Sequence, residues 1–240
     1  MKKKKQNIII DCDPGVDDAI ALLYALQSEN LNVQLIATEA GNNHVKSITE
    51  NAIHLTELFK SDVPVVQGVE NPIKRQASYA LKAQGKGGLG GYNFNRKKLK
   101  KSPLQESASD AMYNVLKANK EKTTIVSIGP MTNIAVLLNE HPDAKDYIKE
   151  IIFESGTKEK IYGKPYKSFN VGFDPEAAEI VFKSEIPLVM VPMELGHIAY
   201  LDKDDIKLFK KTNKIGKIFA KMFTKYHDHH VGDMGAAVHD

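Results

Sequence analysis

The chain has 240 residues, 42% of them hydrophobic and 26% charged, a composition that suits a globular domain and excludes a disordered one. No apolar run approaches the ~20 residues that span a bilayer, and the stretch after the basic Met1–Lys5 is only Ile8–Ile10, too short for a signal-peptide core; with a single cysteine, Cys12, the expected compartment is the cytoplasm. The formal charge of +3 stems from Lys2–Lys5, the remainder is near neutral, and only Arg75 and Arg96 are arginines, so neither a membrane nor a nucleic-acid partner is expected, even at the basic run Arg96–Lys101.

Short apolar runs then alternate with helical patterns. Ile8–Ile10 reads as a first strand, Ala19–Gln27 as a helix rich in Ala and Leu, and Val33–Thr38 as a second strand. Val45, Ile48, Ala52, Leu55 and Phe59 recur at spacings of three and four, which defines an amphipathic helix. Val63–Val66 is a short strand. From Gly68 to Pro103 regularity is lost, and Gln84–Gly91 carries five glycines in eight residues; a segment this long inside a compact domain reads as an active-site loop. A helix follows at Ser107–Lys117, a strand at Thr124–Ile128, a helix at Asn133–Leu138 and a strand at Ile148–Phe153. Asp174-Pro175-Glu176 opens a helix with a capping carboxylate and proline at its first position. Leu188–Val191 reads as a strand and the lysine-rich stretch Asp202–Tyr226 as helical. No linker separates two cores, so residues 1–240 are expected to form one domain, with a lysine-rich tail at 1–6 and the loop at 68–103. The predicted architecture is an open, mostly parallel, Rossmann-like α/β sheet with helices on both faces.

The chemistry concentrates in Asp11-Cys12-Asp13-Pro14-Gly15-Val16-Asp17-Asp18, four carboxylates in eight residues at a strand-to-helix junction, the edge at which open α/β sheets bind ligands. Pro14-Gly15 predicts a turn that folds Asp13 back beside Asp17 and Asp18. Two carboxylates ~5 Å apart repel by ~3 kcal/mol at an effective dielectric near ~20, so the group calls for protonation or a cation. Donors that are all oxygen select calcium, or less favourably magnesium, over zinc. Capping of the helix accounts for Asp17 or Asp18 but not for Asp11 and Asp13 as well. Cys12 reads as a small buried residue rather than a nucleophile. His227-Asp228-His229-His230 cannot all face one ion and read as a solvated loop.

Asp13-Pro14-Gly15-Val16-Asp17-Asp18 resembles the signature of the inosine-uridine-preferring nucleoside hydrolases. Further motifs follow in that family's order: Ala40-Gly41-Asn42, Gly129-Pro130-Met131-Thr132-Asn133-Ile134-Ala135, Phe169-Asn170 ahead of Asp174-Pro175-Glu176-Ala177-Ala178, and His239-Asp240. The resemblance covers essentially the whole chain and implies the nucleoside hydrolase fold. It further implies calcium-dependent hydrolysis of the N-glycosidic bond of a nucleoside or related N-riboside. Asp13, Asp18, the Thr132 carbonyl and Asp240 would hold the ion, and Asp13 would act as general base. Asp17, Asn42 and Asn170 would bind the ribose, and His239 would protonate the leaving base. Family analogy also implies a homodimer or homotetramer.

Departures accompany the resemblance. Gln84-Gly85 stands where the family has His-Gly, and Glu154-Ser155-Gly156 where it has a glycine-rich turn. Tyr162 and Ser168 stand where an asparagine and a glutamate hold the ribose 5′-hydroxyl. Serine for glutamate removes a charged acceptor whose hydrogen bonds are worth ~1.5–3 kcal/mol, so the expectation is weakened hydrolysis or a substrate altered at C5′. Family members continue beyond the His-Asp pair, so the expectation for a chain ending at Asp240 is a truncated domain, weakly active or inactive in isolation. A catalytically inactive homologue that binds a ribosyl ligand is the alternative reading.

Overall fold

The isoleucine run lies inside β1 (Gln6–Cys12), which the computed structural model, describing residues 4–157, 168–229 and 236–237, places within a six-stranded sheet. β1 leads to α1 (Val16–Gln27), β2 (Leu31–Thr38), α2 (Val45–Leu58) and β3 (Val65–Gln67). The long irregular segment contains the single turn α3 (Leu81–Gln84) and ends at α4 (Ala108–Ala118), followed by β4 (Thr123–Ser127), α5 (Thr132–Glu140) and β5 (Ile148–Glu154). α6 (Phe169–Phe173), α7 (Pro175–Phe182) and β6 (Leu188–Val191) complete the sheet, whose order is β3-β2-β1-β4-β5-β6 with every pairing parallel. β7 (Tyr200–Leu201), α8 (Lys203–Lys211), α9 (Lys214–His229) and β8 (Ala236–Ala237) follow, β7 and β8 pairing antiparallel.

Both faces of the sheet are covered, which is why its strands read as continuous apolar runs rather than alternating ones. Ile8, Ile10, Cys12 and Ile36 pack against Leu22 of α1, Leu55 of α2 and Phe219 and Phe223 of α9. Ile9, Leu35 and Ala37 point the other way, onto Met112 and Leu116 of α4, Ile134 and Leu137 of α5 and Val181 of α7. Each fully buried side chain of this size contributes ~1.5–3 kcal/mol relative to exposure. Among the described residues no helix is long and apolar enough to cross a membrane.

Three local features differ from the sequence reading. The helical stretch from Asp202 to Tyr226 is divided in two: Asn213 Oδ1 accepts hydrogen bonds from the backbone N–H groups of Ile215 and Gly216 and starts α9 afresh. His227 is no part of a solvated loop; α9 runs on to His229, and His227 is buried. The short α6, absent from the sequence reading, is capped by Ser168, whose Oγ accepts from Val171 N.

The cap read from sequence at Asp174 does more than start α7. Its Oδ1 accepts from Ala177 N at 3.0 Å, while Oδ2 accepts from Thr132 Oγ1 at 3.0 Å and from Ile73 N at 2.8 Å, tying α7 to the start of α5 and to the long loop. Asp174→Ala removes the cap and strands the buried Thr132 hydroxyl and the half-buried Ile73 N–H, and is expected to lower the unfolding free energy by about 2–4 kcal/mol. Denaturant titration measures it; a loss below about 1 kcal/mol, the size of the cap alone, would show that the two longer-range bonds contribute nothing.

Candidate active site

The strand order runs outward in opposite directions from β1 and from β4, and a crevice opens outside their carboxyl ends at that switch point. Asp13 follows β1 into it and is buried. Its Oδ2 accepts from the backbone N–H of Asn42 at 2.6 Å, and its carbonyl accepts from Asn42 Nδ2 at 3.1 Å. The backbone closes tightly around this carboxylate: a Cβ at Gly41 would sit 2.1 Å from Asp13 Oδ2, and one at Gly129 would sit 2.9 Å from Oδ1. Neither turn has room for a side chain.

Asp18 lies one helical turn further on, fully buried. Its Oδ2 accepts from Gly15 N at 2.8 Å, capping α1, and from Asn42 Nδ2 at 3.3 Å. Its Oδ1 is buried without a hydrogen-bond partner. The turn expected at Pro14-Gly15 therefore brings Asp13 and Asp18 together on one asparagine. Asp17 takes a different route: Tyr226 donates to its Oδ2 at 2.9 Å and Gln84 Nε2 to its Oδ1 at 3.3 Å. Gln84 Oε1 accepts from Val16 N at 2.9 Å, so the glycine-rich loop is pinned to the first turn of α1 beside Asp17.

Burial, then the charge of Asp18, pushes the Asp13 carboxyl well above the usual range. Burial, then Asp17, raises Asp18 to about 7. Such carboxyls want either a proton or a compensating cation. The unpartnered Asp18 Oδ1 and an all-oxygen donor set fit a hard divalent cation. Among the described residues no group of three or more His, Cys, Asp or Glu side chains is arranged to hold a metal. Asp240, the third carboxylate assigned to the ion from sequence, lies outside the described residues, as do His239 and Tyr162. Thr132 is buried at the start of α5; its N–H donates to Glu39 and its hydroxyl to Asp174, so any role toward an ion falls to its carbonyl.

Asp11 does not join this group. Strand alternation directs it, like Ile9, to the α5 face, where Asn133 Nδ2 donates to its Oδ1 at 2.8 Å. There it faces Glu39, a buried residue that the sequence reading missed. Burial raises Asp11 to about 7, and burial, then the charge of Asp11, pushes Glu39 well above the usual carboxylate range. Glu39 Oε2 also accepts from the Thr132 and Asn133 N–H groups at 3.1 and 3.2 Å, at the positive end of α5. The available signal was a lone acid closing an apolar strand, directly before Ala40-Gly41-Asn42. Cys12 Sγ points to the Ala37 carbonyl on the opposite face; burial, then Asp18, pushes its thiol up, which disqualifies it as a nucleophile.

Asn170, in α6, is buried beside the end of β5 and donates through Nδ2 to Glu154 Oε2 at 2.8 Å. Tyr226, on α9, is a fully buried helical residue whose hydroxyl donates to Asp17 Oδ2.

Residues 8–240 match the family model described as inosine-uridine preferring nucleoside hydrolase. The pyrimidine-specific ribonucleoside hydrolase RihA of Salmonella enteritidis is 39% identical over 239 residues, covering 97% of this chain and 76% of that protein. The non-specific ribonucleoside hydrolase RihC of Escherichia coli (strain SMS-3-5 / SECEC) is 35% identical over 235 residues with the same coverage. The solved purine-preferring ribonucleoside hydrolase from Gardnerella vaginalis superposes with a TM-score of 0.89 at 27% identity, over 98% of this chain and 77% of its own. A plant nucleoside hydrolase gives 0.87 at 28% identity, over 98% and 76%.

Buried like charges predict a measurable relief. With chelator present, Asp18→Asn is expected to raise the unfolding free energy by about 1–3 kcal/mol, because one of two repelling carboxyls becomes neutral while its bond from Gly15 N is kept. Denaturant midpoints in chelator measure it; a destabilised variant would refute the repulsion.

Proposed function

Because this chain belongs to the inosine-uridine preferring nucleoside hydrolase family, we propose that Asp13, Asp17, Asp18 and Asn42 form the centre of a calcium-dependent reaction on a ribonucleoside. The chain is an N-glycosyl hydrolase: it cleaves the bond between C1′ of a ribose and a nucleobase nitrogen. The observation that carries the finer reading is the convergence of Asp13 and Asp18 on Asn42, with a buried Asp18 oxygen that no donor satisfies.

In this reading Asp13, Asp18, the Thr132 carbonyl and Asp240 hold the ion. Calcium held by these oxygens would offset the carboxylate charge and make the attacking water more acidic. Asp13 is the general base. One proton of the water passes to its carboxylate as the oxygen bonds C1′, and the glycosidic electron pair leaves with the base. His239 delivers the balancing proton to a purine leaving group. Asp17 and Asn42 bind the 2′,3′-diol, Asp17 being fixed from behind by Tyr226 and Gln84. The sugar passes through an oxocarbenium-like state that carries positive charge, and buried acids with no partnering Lys or Arg among the described residues stabilise that charge in advance. Release of the free base and ribose completes the reaction.

A reducing-sugar assay over purine and pyrimidine nucleosides, run in chelator and with added calcium, tests the proposal. Turnover is expected only with calcium, and Asp13→Asn is expected to lower kcat by about 100-fold or more, as loss of a general base does. Release that is indifferent to chelator, or unchanged by Asp13→Asn, would contradict it.

A further inference from the structure

We propose that Glu154 is a substrate-contacting, specificity-determining residue: from the end of β5 its unpartnered Oε1 meets the ribose 5′-hydroxyl, while its Oε2 holds Asn170 in place. The inference rests on the diol assignment above and deepens it.

Glu154 is the last residue of β5, next to β4 in the sheet, and is only 8% exposed. One half of its carboxyl is satisfied, Oε2 accepting from Asn170 Nδ2 at 2.8 Å; the other oxygen, Oε1, is buried without a partner. No Lys or Arg among the described residues pairs with it. It belongs electrically to the crevice, since burial first, and then the charges of Asp17 and Asp18, push its carboxyl up to about 8. A buried carboxyl facing other acids with half its head unsatisfied is a poor structural element and a good ligand contact.

Asn170 is set by the same residue. Its Nδ2 reaches Glu154 Oε2 and the carbonyls of Ile128 at 3.3 Å and Glu154 at 3.4 Å, which consumes its donors and presents Oδ1 as the acceptor left for a ligand. Glu154 Oε1 and Asn170 Oδ1 thus form a second polar pair in the crevice, separate from Asp13, Asp18 and Asn42. A ribonucleoside offers sugar hydroxyls at two ends, the 2′,3′-diol and the 5′-hydroxymethyl group. With the diol on Asp17 and Asn42, the 5′-hydroxyl is what remains for Glu154 and Asn170.

This contact answers a deficit read from the sequence. Ser168 stands where the resemblance implies a glutamate, and here Ser168 Oγ lies 2.5 Å from Ser155 Oγ and caps α6. The carboxyl missing at 168 is supplied from β5, at a position where the resemblance implies glycine.

The test compares kcat/KM for inosine and uridine with that for their 5′-deoxy analogues, in the wild type, Glu154→Ala and Glu154→Gln, with calcium present. Removing the 5′-hydroxyl is expected to lower wild-type kcat/KM by about 10- to 100-fold, the size of a buried hydrogen bond to a ligand. Glu154→Ala should impose a similar loss on inosine and uridine but less than about 3-fold on the 5′-deoxy compounds, because the shared contact can be lost only once. Glu154→Gln should recover most of the activity, since an amide both donates and accepts. Equal losses on both substrate sets, or a wild type indifferent to the 5′-hydroxyl, overturn the role of Glu154 alone. A wild type that hydrolyses neither inosine nor uridine overturns the proposed reaction and this role together.

Discussion

Among the described residues Asp11, Asp13, Asp17, Asp18, Glu39 and Glu154 lie buried at one end of the sheet, beside the equally buried helix cap Asp174, and no described lysine or arginine pairs with any of them. Neutral donors do the work instead. Asn133 serves Asp11, Asn42 serves Asp13 and Asp18, Gln84 serves Asp17, and Asn170 serves Glu154. An amide satisfies a carboxylate oxygen without cancelling its charge, so the crevice stays acidic although most of its oxygens are hydrogen-bonded. That is the condition a site needs if it is to attract a cation and a sugar that turns cationic during reaction.

The fold supplies what the amides do not. Parallel strands release their chains on one side, and the helices that follow begin there with unpaired N–H groups. Asp18 caps α1 in this way and Glu39 the start of α5, so two acids are held by helix ends rather than by cations. Asp11 and Glu39 lie one layer beneath the crevice, both raised by burial. They brace the first turn of α5, which carries Thr132, and through Asn133 they also fix the start of the long loop, since Asn133 Oδ1 accepts from Val69 N. Family membership and the sheet order therefore describe one arrangement from two directions.

Much of this was legible in the sequence. Ile8–Ile10, Val33–Thr38 and Ile151 with its neighbours carry the strand signal in their own side chains, and Asp13, Asp17 and Asp18 announce themselves by spacing. Asp174 read correctly as a helix cap because a cap is a local device. What stayed hidden depends on partners far along the chain: Glu39 meets Thr132 and Asn133, Gln84 meets Val16 and Asp17, and Tyr226 reaches Asp17 across 209 positions. The separation of Asp11 from Asp13 was hidden for another reason. Strand alternation alone would keep them on one face, but the chain leaves the strand after Cys12, and the turn rather than the pleat aims Asp13. The break between α8 and α9 was in the sequence as Thr212-Asn213, a capping pair outvoted by the surrounding lysine-rich helical pattern.

The packing of Gly41 and Gly129 against Asp13 carries a consequence for redesign. Substrate scope in a pocket is ordinarily altered by enlarging or shrinking the residues nearest the chemistry, but the two nearest positions here admit nothing larger than hydrogen. The wall beside Asp13 is rigid in composition as well as in place. Variation must enter from the opposite side, through the glycine-rich loop that Gln84 fastens to α1 and through the face of α9 that carries Tyr226. A library directed at Lys86 and Tyr92 and at exposed positions of α9 would vary that side of the crevice while leaving Asp13, Asp17 and the Gln84 contact that holds Asp17 untouched.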